Sequence, residues 1–396
     1  MTKVLVVGGG IGGLAAALAA SRAGQSTELF EKAAVFGDVG AGIQLGPNAS
    51  RVLRGWGLSK GLDQLAFAPE RLQVRSAVSG HTLGELRLGS VFAARYGAPY
   101  ITVHRADLHG LLLAAVRQTS AVLHTDCAVE GFAQTAQAVT VQTSLTAYEA
   151  DAMVAADGLW SATRQQILGD GMPRRTGHLA YRSLVCQSEL PEQLRSHSVT
   201  VWLGPKMHAV QYPVRGGEWL NNVVIIHGNA PDDFQSWDHH ANRADLGVAL
   251  QGNCGALHSL LEAIPDWRLW VMHDRPLLRG AYQMVQGRVA LLGDAAHPMR
   301  PYLAQGAGMA IEDAQALEYA LKDAGPKSVP SALQQYAQSR WQRNASVQAR
   351  ALRNGNIFHA EGLVRWGRDM AMKLGGEKLL DMPWLYGFAA RADHMQ

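Results

Sequence analysis

Lys3–Val7 is a short, nearly all-apolar run rich in Val, the pattern of a strand buried on both faces. Residues 14–23 follow as a helix packed with Ala, and residues 27–30 as a second strand that ends at Glu31. Residues 36–48 hold four glycines within ten positions, too many for regular structure, and predict a backbone passing close to a flat or bulky ligand. A helix over 48–56 comes next, with Pro47 at its start. Residues 74–88 alternate as strands, 100–104 are extended, and Asp107 is expected to cap an amphipathic helix running to Thr119. Val139–Thr143 and residues 152–156 are strands. From about Pro173 the pattern changes: 184–186, 199–203, 208–214 and 219–226 are strand-like without helices between them, with Gly216-Gly217 as a hairpin turn. Residues 232–240 are polar without a period and predict an exposed loop. Residues 288–292 return to a buried-type strand, 309–321 and 329 to about 352 are helices, and the remainder is helical or irregular. The order predicts an α/β fold: a Rossmann-like nucleotide-binding unit, an inserted and mostly antiparallel sheet, and C-terminal helices.

A length of 396 residues exceeds one ordinary core, so two or three substructures are expected. The net charge of +3, from 36 basic and 33 acidic residues, lacks the basic excess of a nucleic-acid binder and mildly favours anionic small molecules. Cys127, Cys186 and Cys254 are far apart and odd in number, which gives no disulfide framework or metal spacing and points to a reducing cytoplasm. The apolar N-terminus is broken by its glycines, unlike a signal peptide. No stretch reaches the roughly 18 uninterrupted apolar residues of a membrane span.

Gly8, Gly10 and Gly13 stand at the G-x-G-x-x-G spacing between the first strand and the first helix. The first glycine permits the tight turn, the second lets backbone approach a pyrophosphate, and the third lets the helix lie close on the sheet. The helix N-terminus offers free N–H groups and a positive dipole to phosphates. Glu31, 18 residues past Gly13, is placed to accept hydrogen bonds from a ribose. A second anchor, residues 155–164, is a strand ending in Asp157-Gly158 followed by Ser161 and Arg164. It sets a carboxylate and a cation at a sheet edge, or simply caps a helix. In the third, residues 292–298, Asp294 ends a strand where it can take a hydroxyl of a long ligand. Gly306, Ala307 and Gly308 then open a helix whose N–H groups can face the pyrimidine end of a flavin, although any glycine-capped helix has this pattern. If 208–214 is a strand, His208, Val210 and Tyr212 share one face. His208 and Tyr212 then lie about 13 Å apart at Cα and can flank an aromatic ring. A phenol, of pKa about 10, must lose its proton to become a strong nucleophile, and a histidine near neutrality accepts it. An ordinary amphipathic sheet face with a His and a Tyr would look the same.

The three anchors, in this order and so widely separated, resemble the single-component flavoprotein aromatic hydroxylases with the p-hydroxybenzoate hydroxylase fold, over nearly the whole chain. Within that family the likeness is greatest to hydroxylases of 3-hydroxybenzoate, 6-hydroxynicotinate and salicylate. It is carried by residues 39–44, 100–108, 208–217 and 293–313. The resemblance implies bound FAD, with NADH or NADPH as co-substrate. It places Glu31 on the adenosine ribose, with Lys32 and Gly42 beside the cofactor, and makes Arg105 and Asp294 FAD contacts. Asp157 serves both FAD and nicotinamide-nucleotide binding. It also implies an FAD-binding domain of residues 1–70, 96–175 and 275–330, a substrate domain of 71–95 and 176–274, and a C-terminal helical segment of 331–396. His208 becomes the catalytic base and Tyr212 orients the substrate hydroxyl. Gln44, Val210, Pro301 and Tyr302 line the substrate ring, although Pro301, Tyr302 and Gln44 each depart from one or another member's pattern. The implied reaction is hydroxylation of a small hydroxylated aromatic acid by dioxygen, through a hydroperoxide of the flavin. Arg182, Arg215 and Arg300 are candidates for holding the acid's carboxylate. His227 and His239-His240 have no partner at ligand spacing, so no metal is expected. Homodimers are common in the family. A flavin reductase or oxidase of the same fold, and a non-catalytic flavin sensor, are the alternative readings.

Overall fold

The apolar run Lys3–Val7 sits inside a six-stranded sheet in the computed structural model, which describes residues 1–37, 40–228, 239–240 and 243–389. The strand order across this sheet is Val285–Gln286, Val289–Leu291, Ala152–Ala155, Lys3–Val7, Ser26–Phe30 and Val122–His124. All neighbours are parallel except the first pair. The helix Ile11–Arg22 is buried along nearly its whole length, because the sheet covers one side and the helix Gly306–Leu321 the other. Small side chains make that sandwich possible. A Cβ on Gly13 would stand 1.8 Å from the Gly8 carbonyl oxygen, so only glycine lets the helix start against the turn.

The second sheet has eight strands, in the order His239–His240, Arg268–Asp274, Arg174–Cys186, Trp219–His227, Met207–Val214, Val199–Gly204, Arg71–Ser76 and Thr82–Arg87. It is antiparallel apart from the pair Val199–Gly204 with Arg71–Ser76. Residues 71–87 thus join a sheet whose other strands come from beyond residue 173. A three-stranded antiparallel sheet, Val129–Gln134, Val139–Thr143 and Ala147–Ala150, flanks the first.

Three expected local features differ. The glycine-rich stretch is not wholly irregular: Gly42–Leu45 is a strand paired antiparallel with Ile101–His104. A Cβ on Gly42 would come within 2.6 Å of the Tyr212 ring and 2.7 Å of Asn221, so glycine lets this strand press against the larger sheet. Asp107 is not a cap; the helix runs from Arg105 to Arg117, and the Asp107 carboxylate instead accepts a 2.8 Å bond from Arg215. The expected loop at 232–240 lies outside the described residues up to 238, and His239–His240 is a strand paired with residues 268–269.

The helix Val329–Phe358 spans 30 residues, farther than its polar pattern predicts, and carries the chain to His359. It is locked to the third anchor by a buried polar cluster. Asp313 accepts from Arg340 at 2.8 Å and Asn344 at 3.0 Å, and pairs with His297. Arg340 and His297 beside it hold its carboxyl well below the ordinary range despite burial. No described helix is long and apolar enough to cross a membrane.

Candidate active site

Three segments far apart in sequence meet at one cavity of about 300 Å³. Gly10 and Gly12 come from the first anchor, Ala156 and Gly158 from the second, Leu292 and Asp294 from the third. Arg105, and Gly306 and Ala307 at the start of the helix Gly306–Leu321, complete this end. These are carboxyl ends of parallel strands and amino ends of helices, where open α/β sheets bind ligands. A Cβ built on Gly10 would meet nothing within 4 Å, so its backbone faces open space. Asp157 accepts a 3.2 Å bond from the Thr163 N–H through one oxygen; the other is buried with no partner among the described residues. Desolvation by the surrounding protein raises the Asp294 carboxyl above its ordinary value, although the residue is open to the cavity. The Glu31 carboxylate accepts from the Gly9 N–H at 2.6 Å and the Ala33 N–H at 2.8 Å, which holds the glycine turn. Open glycine backbone, a helix N-terminus, Arg105 and the Asp294 carboxyl line this end and form the donor and acceptor set a dinucleotide requires, whereas Asp157 does not line it. These residues fit FAD.

The opposite wall is one face of the eight-stranded sheet. Register pairs His208 with Ile225, Val210 with Val223 and Tyr212 with Asn221; on the next strand Arg182 pairs with Val223 and His178 with His227. Alternation then puts Arg182, His208, Val210, Tyr212, Val223 and Ile225 on the cavity side, and all six line it. Tyr212 donates its hydroxyl to the Gly42 carbonyl at 2.7 Å, and the Gly42 N–H donates to Asn221 Oδ1 at 2.6 Å. Gln44, which also lines the cavity, accepts from the Tyr100 hydroxyl at 2.6 Å. The dinucleotide end and the sheet face are therefore stitched together at residues 42–44.

The three candidate arginines separate cleanly. Arg215 is paired with Asp107 at 2.8 Å and Arg300 with Asp274 at 2.6 Å. Arg182 lines the cavity, lies over the Trp270 ring at 3.8 Å, and buries an Nε with no partner among the described residues. Burial lowers its pKa to about 10, so it stays a cation at neutral pH.

Residues 1–351 match the family described as FAD binding domain. The chain belongs to that FAD-binding family. The flavoprotein is 37% identical over 390 residues to a 3-hydroxybenzoate 6-hydroxylase of Polaromonas naphthalenivorans, a match covering 97% of this chain and 96% of the relative. It is 32% identical to a 6-hydroxynicotinate 3-monooxygenase of Bordetella bronchiseptica, over 87% of this chain and 89% of the relative. A solved salicylate hydroxylase substrate complex superposes with a TM-score of 0.85 at 26% identity, covering 100% of this chain and 98% of that one. FAD is the cofactor of this flavoprotein, and its architecture is that of the flavin-dependent aromatic hydroxylases.

Several expected site residues stand away from the cavity. Gly8 and Gly13 shape the turn beside Gly10, and Glu31 and Lys32 are not among the lining residues. Gly308 packs toward Gln305, Ala49 and Asn48. Tyr302 is not among the lining residues, although its neighbour Pro301 is; its hydroxyl is hydrogen-bonded with Nδ1 of His178. In the short helix Pro301–Leu303 adjacent side chains diverge, so the two cannot face one space. The second anchor serves both readings, since Ser161 caps the helix Ala162–Leu168 while buried Arg164 binds Asp170 at 2.8 Å and the Ala295 carbonyl at 3.2 Å.

His227 has partners that the sequence conceals. Its Nε2 lies 2.9 Å from Nδ1 of His359, whose Nε2 lies 2.7 Å from Nδ1 of His208. Ring nitrogens of His178, His227 and His359 come within 4.8 Å of one another. Burial lowers His208 to about 3, His178 to about 4 and His359 to about 2, so the ordinary near-neutral histidine expected at 208 is not what the fold provides. These imidazoles are neutral when folded and protonate near pH 6.5 when unfolded, so below that pH the unfolded chain binds more protons. Stability is expected to be full above pH 6.5 and to fall by about 1 kcal/mol per pH unit for each such histidine down to about pH 4. Urea unfolding of wild type at a series of pH values checks this, and a flat profile between pH 7 and 5 would contradict it.

Proposed function

We propose that this flavoprotein hydroxylates a small hydroxylated aromatic acid of the 3-hydroxybenzoate, salicylate or 6-hydroxynicotinate kind, with NADH or NADPH and dioxygen as co-substrates. The chain is an FAD-dependent monooxygenase; bound FAD would supply the means to pass electrons from NAD(P)H to dioxygen and so make one of its oxygen atoms electrophilic. Gly10, Arg105, Asp157, Asp294 and the Gly306–Ala307 turn would hold the cofactor, with Glu31 at its adenosine end. One observation carries the substrate reading: Arg182, half-buried, with a buried Nε that has no partner among the described residues, lines the same cavity as His208 and Tyr212. Arg182 is two strands from the His208 strand, about 10 Å at Cα, which leaves room for a ring between carboxylate and hydroxyl.

In this reading Arg182 binds the carboxylate, and the base-side nitrogen of His208 takes the phenolic proton. Tyr212, whose hydroxyl donates to the Gly42 carbonyl here, would orient the substrate by turning that O–H onto the substrate oxygen as its proton leaves. Val210, Val223 and Ile225 keep the chamber dry, so the charge developing on the ring faces few competing waters. The experiment is a panel of hydroxybenzoates and hydroxynicotinates scored by NAD(P)H consumption and product mass. At least one acid is expected to stimulate consumption and leave as a ring-hydroxylated product; consumption without oxygenated product for every acid would favour a reductase or oxidase instead.

The proposal includes a cytoplasmic location, which the three unpaired cysteines support. It includes a homodimer too, for which the exposed Leu363, Val364 and Trp366 of the helix Gly362–Gly375 offer an apolar patch.

A further inference from the structure

We propose that His208, His359 and His227 form a relay that carries the substrate's phenolic proton from the cavity to solvent. It rests on the assignment of His208 as the base. The links are a 2.7 Å contact between His208 Nδ1 and His359 Nε2 and a 2.9 Å contact between His359 Nδ1 and His227 Nε2. Both nitrogens of His359 are engaged, one toward the cavity and one toward the surface. His208 and His359 are buried, at 2% and 7% exposure, whereas His227 is exposed. The fold builds the row from three separate elements. His208 and His227 stand on neighbouring strands with their side chains on one sheet face, and His359 follows directly on the helix Val329–Phe358. The Lys206 N–H binds the His359 carbonyl at 3.2 Å, and the His227 N–H binds the Lys206 carbonyl at 3.2 Å, so backbone bonds hold the outer two rings together.

The row resolves a difficulty in the base. A buried imidazole with so low an affinity for protons cannot store one at neutral pH; it must pass it on as it receives it. With each ring protonated at Nδ1, the substrate O–H gives its proton to His208 Nε2 and His208 Nδ1–H passes its own to His359 Nε2. His359 Nδ1–H then passes one to His227 Nε2, and His227 Nδ1–H releases one to water. One proton leaves the phenol, one enters solvent, and all three rings end neutral with the proton on Nε2. The reverse passage protonates the phenolate of the product and resets the row. His178 lies beside the row, its Nδ1 occupied by the Tyr302 hydroxyl. The charged groups around the row are Arg300, Asp274, Lys206 and Glu361, with the last two 3.7 Å apart at the outer end.

The test uses wild-type, His359→Phe and His227→Gln holoenzymes, mixed without NAD(P)H with a nitro-substituted hydroxybenzoate whose phenolate is coloured. Each is run at low and high imidazole buffer. Wild type is expected to form phenolate quickly and independently of buffer. His359→Phe is expected to slow it at least about tenfold at unchanged flavin content, with partial recovery in imidazole, a rescue that a packing defect would not show. His227→Gln, at the surface, is expected to fold normally, to slow less and to recover fully. Unchanged ionisation rates in both variants would overturn the relay, as would one equivalent of metal held by these rings in the purified protein. Wild type that neither ionises nor hydroxylates any aromatic acid would overturn the assignment of His208 as well. Wild type that does both while the variants match it removes the relay alone.

Discussion

Replacing His208 by Ala is expected to lower hydroxylation by about 10²- to 10⁴-fold, the range for removal of a general base, while the purified protein keeps its flavin. His208 lies on the sheet face across the cavity from the Gly10, Asp294 and Gly306 end, so its loss leaves the cofactor contacts intact. The uncatalysed route requires an unionised phenol to attack, and a phenol of pKa about 10 is mostly protonated at neutral pH. NAD(P)H oxidation is expected to fall less than product formation, because the base acts on the substrate. The measurement is product formed per bound flavin, with His208→Gln as a second variant that fills the same space without accepting a proton. Turnover at the wild-type rate in both would remove His208 from the chemistry.

Replacing Arg182 by Met is expected to weaken binding of the aromatic acid by about 2–5 kcal/mol, a rise in KM of roughly 30- to several-thousand-fold, with kcat changed much less. The guanidinium is half-buried, remains charged and has no carboxylate partner among the described residues, so an incoming carboxylate meets a partner already partly shielded from water. The loss is expected to be specific. The corresponding phenol without its carboxylate should bind wild type and variant alike. Thermal stability should hold, since the change removes an uncompensated, half-buried charge rather than half of a pair. Steady-state kinetics with acid and phenol, beside a thermal melt, measure all three. Equal KM values for the acid would assign the carboxylate to another residue.

Gly8, Gly10, Gly13 and Glu31 were legible because a strand, a turn and a helix are local and their periods differ. The same holds for Asp157 and Asp294, each at the end of a short apolar run. The shared face of His208, Val210 and Tyr212 followed from alternation within one strand. What lay hidden depends on register between strands and on pairing across the fold. Arg182, Arg215 and Arg300 look alike until Asp107 and Asp274 are seen to occupy two of them. His227 looked solitary because His178 joins it through strand register and His359 arrives from a helix 132 residues farther on. Tyr302 was misplaced because neighbours on a one-turn helix diverge. His208 was expected to keep its ordinary pKa because a sequence carries no measure of burial, and burial is what lowers it.

The central claim is that three distant segments hold FAD against a sheet face that binds and ionises an aromatic acid. Incubating the yellow holoenzyme with NAD(P)H, the best acid of the panel and ¹⁸O-labelled dioxygen tests it most directly. One labelled oxygen atom in the ring-hydroxylated product is the expected result. Protein that takes up no flavin, or labelled hydrogen peroxide as the sole oxygen product with every acid, would contradict it.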